Sequence, residues 1–130
     1  MRIELLTLAW SAGLGIIYLL VAAQAATAQR GVKWNVSNRD SKAPELTGVA
    51  ARLSNAFKNF METFPFFVAA IIIVHLTDMY SPMTILGSQL YFWARVVYLP
   101  VYGVGIPYVR TAIWSISMVG IVLVLIAPFI

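Results

Sequence analysis

The chain has 130 residues, of which 61% are hydrophobic and only 11% charged. That balance excludes an ordinary soluble domain, and the length reads as a single domain. The absence of cysteine excludes disulfides, thiolate metal sites and a cysteine nucleophile, and the net charge of +4 raises nucleic acid as a partner only until the basic residues are placed.

The apolar residues gather into four runs long enough to cross a bilayer, at about residues 3–28, 46–77, 83–102 and 109–130. The expected fold is therefore an all-α integral membrane protein, a single domain over 1–130 built as a four-transmembrane-helix bundle. The first run carries Gly13, Gly15, Ala22, Ala23, Ala25 and Ala26, small residues that permit close helix contact. It is too long for the apolar part of a cleaved signal, so it is expected to be retained. Gln24 and Gln29 lie towards its end, within reach of a site there or of a neighbouring helix.

Residues 29–47 form the only long polar segment. Arg30, Lys33, Trp34, Arg39, Asp40, Ser41 and Lys42 read as a loop with an interfacial tryptophan. Pro44-Glu45 fits the start of the second helix, because proline is tolerated in a first turn and an acid is favoured there.

The second run holds the most informative stretch, from Arg52 to Pro65. At about 100° per residue, Arg52, Asn55, Asn59 and Glu62 fall within roughly 80° of one face, with Lys58 at its border. Ionisable side chains inside a span are costly and normally face a bundle interior or a wet cavity. Pro65 removes one backbone hydrogen bond, so a kink is expected near Met61. His75 stands alone at the far end and reads as an interfacial residue.

In the third run Tyr91, Arg95, Tyr98 and Tyr102 recur within roughly 60° of one face. Arg95 is a second intramembrane charge and the expected partner of Glu62. Gly103-Val104-Gly105-Ile106-Pro107 is a tight connector. Arg110 follows in the first turn of the fourth run, at the positive end of the helix dipole, where a cation calls for an anionic partner.

Eight of the nine basic residues (Arg30, Lys33, Arg39, Lys42, Arg52, Lys58, Arg95 and Arg110) lie in or beside the first and third connections. Arg2, Glu4 and Asp78 lie at the other side. The positive-inside rule then leaves both termini non-cytoplasmic and explains the basic excess without nucleic acid. Arg52, Asn55, Lys58, Asn59, Glu62, Arg95, Tyr98, Tyr102 and Arg110 point to one polar layer in the cytoplasmic half of the membrane. Cations outnumber its single carboxylate, so the layer suits an anion, and arginine forks suit carboxylates. Glu62 suits an ammonium group or holds Arg95. A small zwitterionic peptide with excess negative charge fits; a polar seam that glues helices or protomers together is the competing reading. One histidine and no cysteine leave no metal set, and no phosphate-cradling or dinucleotide-binding glycine motif is present.

Asn59-Phe-Met-Glu62-Thr-Phe-Pro65-Phe66 resembles the NxxExxPxF signature of the MAPEG family, the membrane-associated proteins in eicosanoid and glutathione metabolism. Ala94-Arg95-Val-Val-Tyr98-Leu-Pro-Val-Tyr102, followed by Arg110-Thr111, resembles that family's third-helix and fourth-helix motif. The resemblance covers nearly the whole chain. It implies a homotrimer of four-helix bundles with glutathione between neighbouring protomers. It also implies transferase, peroxidase or isomerase chemistry on a lipophilic substrate. By position it implies that Arg52, Asn55, Asn59, Glu62, Arg95, Tyr98 and Tyr102 bind glutathione and that Arg110 stabilises its thiolate. Asn55 stands where eukaryotic members usually carry arginine, and Thr63 where some carry tyrosine. The Tyr98-Leu-Pro-Val-Tyr102 wording looks like the bacterial branch, which implies a bacterial inner membrane. The expected function is a glutathione-dependent membrane transferase or peroxidase acting on a lipophilic electrophile. The rival is a non-catalytic trimeric membrane protein that binds lipid or a partner through the same cavity.

Overall fold

A computed structural model describes residues 1–40 and 42–130; Ser41 of the predicted loop lies outside them. Among the described residues the chain is all-helical, without strands. Four long helices are α1 (Ile3–Arg30), α3 (Gly48–Thr77), α4 (Pro82–Val104) and α5 (Pro107–Ile126). A one-turn helix α2 (Val32–Asn35) interrupts the first loop, and a 3-10 turn (Ala127–Phe129) follows α5. At about 1.5 Å per residue the long helices measure roughly 42, 45, 34 and 30 Å, against a hydrocarbon core of about 30 Å.

Local chemistry sets the helix ends. α1 stops at Gly31, whose φ of 94° a side chain would resist. α3 begins at Gly48, after Thr47, and not at Pro44-Glu45. Pro44 and Thr47 are instead tied back to the end of α1. Gln29 Nε2 donates to Thr47 O at 2.8 Å, Thr47 N donates to Gln29 Oε1 at 3.0 Å, and Arg30 Nε donates to Pro44 O at 2.8 Å. With its carbonyls and N–H spent on α1, this segment is held extended. Gln29 is therefore a staple between helices rather than a site residue.

α3 runs unbroken through Pro65 and ends in a left-handed Asp78. Asp78 N bonds to His75 O and Met79 N to Val74 O, so two terminal carbonyls are satisfied. α4 opens with a reciprocal cap. Thr84 N donates to Ser81 Oγ at 3.3 Å and Ser81 N donates to Thr84 Oγ1 at 3.0 Å. Pro82 and Pro107 occupy the first turns of α4 and α5, where a missing N–H costs nothing.

The helices meet through small residues. A Cβ on Gly87 would lie 2.6 Å from Gly120 O, and one on Gly120 would lie 2.8 Å from Tyr91 N, so α4 and α5 touch backbone to backbone. A Cβ on Gly15 would lie 2.7 Å from the Phe60 ring, so α1 lies against α3. Gly13 has open space around it. One apolar cluster joins Phe67, Ile71, Val74, Tyr91, Ile121 and Val124; a second joins Leu14, Tyr18, Ala56, Phe60, Phe92 and Tyr98.

The outer surface is the opposite of a soluble protein's. Trp10, Ile16, Phe66, Ile72, Trp93 and Val119 are all exposed. α1, α3 and the α5 segment Pro107–Phe129 are long and apolar enough to cross a membrane. α4 is long enough but less apolar. Its polar residues Thr84, Ser88 and Arg95, with the phenols of Tyr91 and Tyr98, face the bundle interior.

Candidate functional site

Two adjoining recesses lie where the α4–α5 turn meets the first half of α3. One, of about 230 Å³, is lined by Arg52, Asn55, Tyr102, Gly105, Ile106, Pro107 and Arg110. The other, of about 180 Å³, is lined by Asn59, Tyr98, Arg110, Thr111 and Trp114. Arg110 belongs to both. Six of the eight residues nominated from sequence thus come together: Arg52, Asn55, Asn59, Tyr98, Tyr102 and Arg110. No acidic side chain lines either recess, so their field is positive and suits an anion.

Each cation is held differently. Arg52 spends its Nε on Gly103 O at 2.9 Å. That contact needs glycine beside it: a Cβ on Gly105 would lie 3.2 Å from Arg52 Nε. Gly105 also has φ 91°, so the turn is glycine's on two counts. Arg110 lies in the first turn of α5, with its guanidinium 4.5 Å over the Tyr102 ring. Tyr102 in turn meets Tyr98 edge to face at 5.5 Å. The Tyr102 ring thus props the guanidinium on its face, and Tyr98 buttresses that ring.

Arg95 is fully buried, at 0% exposure. Its Nη1 donates to Asn59 Oδ1 at 2.7 Å, and its guanidinium lies 4.8 Å from the Tyr98 ring centre. Among the described residues its Nε and Nη2 are buried without a partner. Leaving such donors unmet is expensive, so they call for an acceptor from water, ligand or a second chain.

Glu62 is not the partner of Arg95; it is exposed on the surface of the chain. The reason is rotation within the stripe. On a helical wheel Asn59 lies about 20° from Arg52, whereas Asn55 and Glu62 lie about 60–80° away on the same side. The edge of the bundle falls between these pairs. Arg52 and Asn59 turn in towards α4, while Asn55 and Glu62 turn out.

The family model for the MAPEG family matches residues 7–130. The chain belongs to the MAPEG family. No curated protein and no solved structure matches it. Membership and three apolar helices of spanning length make this MAPEG chain an integral membrane protein of a family associated with glutathione and eicosanoid metabolism.

Sequence reasoning missed Tyr18, Thr111 and Trp114 in this MAPEG chain. Tyr18 is fully buried on α1, packs tilted against Phe60 with ring centres 4.7 Å apart and donates its hydroxyl to Arg95 O at 2.6 Å. It braces the α4 segment that carries Arg95. A tyrosine in the middle of an otherwise apolar run was the available signal. Thr111 was read only as part of a motif, and nothing in the sequence singles out Trp114.

Proposed function

We propose that this MAPEG protein is a glutathione-dependent membrane transferase or peroxidase acting on a lipophilic electrophile. Its site lies between protomers of a homotrimer. Arg110 carries the reading. It is the cation common to both recesses, it sits at the N-terminal end of α5, and the Tyr98–Tyr102 pair supports it from behind. A free thiol has a pKa near 8.5, and an adjacent arginine at a helix N-terminus favours the thiolate, the reactive form. Arg52 and Asn55 then hold one end of an anionic tripeptide, and Asn59, Tyr98 and Tyr102 line the rest. Arg95 lines neither recess, so its orphan donors meet a ligand carboxylate only once binding opens the packing beside Asn59. A lipophilic second substrate reaches the site from the bilayer, which the apolar outer faces of the helices adjoin.

The exposed side chains support the trimer. Asn55, Lys58 and Glu62 face out of a single chain at a depth where lipid would meet them. Ionisable groups facing hydrocarbon are costly, and a neighbouring protomer covers them and completes the two shallow recesses. Glu62 then meets the ligand's ammonium or a partner's cation. The basic first loop and Arg110 support a cytoplasmic side for these connections, with both termini on the other side; the bacterial inner membrane follows from the resemblance alone.

The test is ultraviolet thiolate absorbance on adding glutathione to the purified protein at neutral pH. Wild type is expected to give the signal. Arg110→Ala is expected to bind but lose it, recovering as pH rises through the free thiol's pKa. Arg52→Ala should weaken binding yet give the signal at saturation. A wild-type signal in Arg110→Ala removes Arg110 as the activating group. No signal in wild type assigns the recesses to a non-catalytic role in binding lipid or a partner.

A further inference from the structure

A further recess lies at the opposite end of the bundle, beside the N-terminus. It measures about 420 Å³ and is lined by Arg2, Ile3, Glu4, Tyr80, Ser81, Pro82 and Ile85, with Met1 at its margin. Nothing in the proposed glutathione chemistry uses it.

Glu4 is the unexpected residue there. The sequence places it only on the side opposite the basic connections; in the fold it is 2% exposed. It stands where two helix starts meet, in the first turn of α1 and against the capping turn of α4. Its Oε2 accepts from the Thr84 hydroxyl, which in turn accepts from Ser81 N. Among the described residues Oε1 has no donor, and no basic side chain bonds to the carboxylate. A buried carboxylate without a cation is costly, and the two helix dipoles offset only part of that cost.

The rim supplies the opposite charge. Arg2 lies 4.4 Å over the Tyr80 ring, and Tyr80 is fixed from the other side by His75 Nδ1 at 2.8 Å from its hydroxyl. The guanidinium is thus propped on an aromatic face, and among the described residues its N–H groups bond to no side chain or carbonyl, which leaves them for an anion. The outer wall, Ile3 and Ile85, is exposed and apolar, as a wall open to acyl chains must be.

A recessed carboxylate, a cation at the rim and an apolar outer wall match a molecule with the complementary order of groups. We propose that this cavity binds an aminophospholipid: its primary ammonium at Glu4, its phosphate at Arg2, its acyl chains along Ile3 and Ile85. A primary ammonium donates hydrogen bonds to the carboxylate. A trimethylammonium cannot, and its usual aromatic recognition is closed because Arg2 already covers Tyr80. The site therefore selects ethanolamine over choline headgroups. It also selects them over glycerol headgroups, which bring no cation to Glu4.

Native mass spectrometry of the whole protein in mild detergent tests this without glutathione. The probes are the dioctanoyl forms of phosphatidylethanolamine, phosphatidylcholine and phosphatidylglycerol, with free phosphoethanolamine alongside. Wild type is expected to bind the ethanolamine lipid about tenfold more tightly than the other two, the size of one charge-assisted hydrogen bond. Glu4→Gln should bring the three lipids level, and Arg2→Ala should weaken all of them. Ile85→Trp keeps the carboxylate but fills the cavity, and should lose the ethanolamine lipid even where Glu4→Gln fails to fold. Equal binding of the three lipids by wild type overturns the proposal, as does a preference that survives in Glu4→Gln or Ile85→Trp. Free phosphoethanolamine binding as tightly as the lipid overturns the lipid assignment in favour of a soluble amine-phosphate.

Discussion

Arg95→Met tests whether the buried guanidinium is there for the fold or for a ligand. Methionine keeps an unbranched chain of similar length and removes the charge. The variant loses the bond from Nη1 to Asn59, about 1.5–3 kcal/mol for a hydrogen bond with a charged partner. It also loses the contact with the Tyr98 ring, on the order of 1–2 kcal/mol for a desolvated cation over an aromatic face. Against this, Nε and Nη2 no longer remain buried and unpaired, a relief of about 1–3 kcal/mol each. The two sides nearly cancel, so the ligand-free protein should change by no more than about 2 kcal/mol in either direction. For a chain of this size that is a shift of roughly 10 °C or less in Tm. On the proposed function, the stabilisation expected from glutathione should fall, because the donors proposed to meet its carboxylate are gone. Thermal unfolding in detergent, with and without glutathione, reads both quantities. A ligand-free variant that does not fold would refute the reasoning, since it would mean the orphan donors are satisfied within the protein itself. So would a variant that keeps the full glutathione shift.

Gly120→Ala should destabilise by about 1–3 kcal/mol, because its Cβ would meet Gly87 O and Tyr91 N. Gly13→Ala should be neutral or stabilising by up to about 1 kcal/mol, having open space around it; comparable melting of the two variants would contradict the close α4–α5 contact. Glu62→Gln should leave the stability of the isolated chain unchanged, since the side chain is exposed there, and should instead weaken glutathione binding in the assembled protein; calorimetry and light scattering separate the two. Gln29→Ala should loosen the joint between α1 and α3, read as faster hydrogen exchange at Thr47, whose N–H loses its acceptor. Burial first, and then the nearby Glu4 carboxylate, hold the Tyr80 phenol above its ordinary value of 10. A raised folded value means that its contribution is complete below pH 10 and is lost as pH rises through the raised value. Tyr80→Phe should remove that alkaline step from the pH dependence of unfolding.

The sequence by itself determined the helices, the membrane and the family. Those properties are local: an apolar run long enough to span, a proline or glycine at its end, and two short motifs in order. The nominated residues around Arg110 also came together, because the α4–α5 turn is short and fixes their spacing along the chain. What only the tertiary structure decided was depth and partnership. Asn59 and Glu62 lie three residues apart on one stripe, yet one bonds Arg95 and the other faces out. The difference is about 60° of helix rotation, set by how α3 seats against α1 and α4, and no local pattern encodes it. The burial of Glu4 comes from the capping turn of α4, which closes over it. The sequence left Gln29 open between a site and a neighbouring helix; Thr47, eighteen positions on, occupies both ends of its amide and decides for the latter. Periodicity follows from the geometry of one helix; burial and pairing follow from the approach of several, and that approach is settled by side chains distant in sequence.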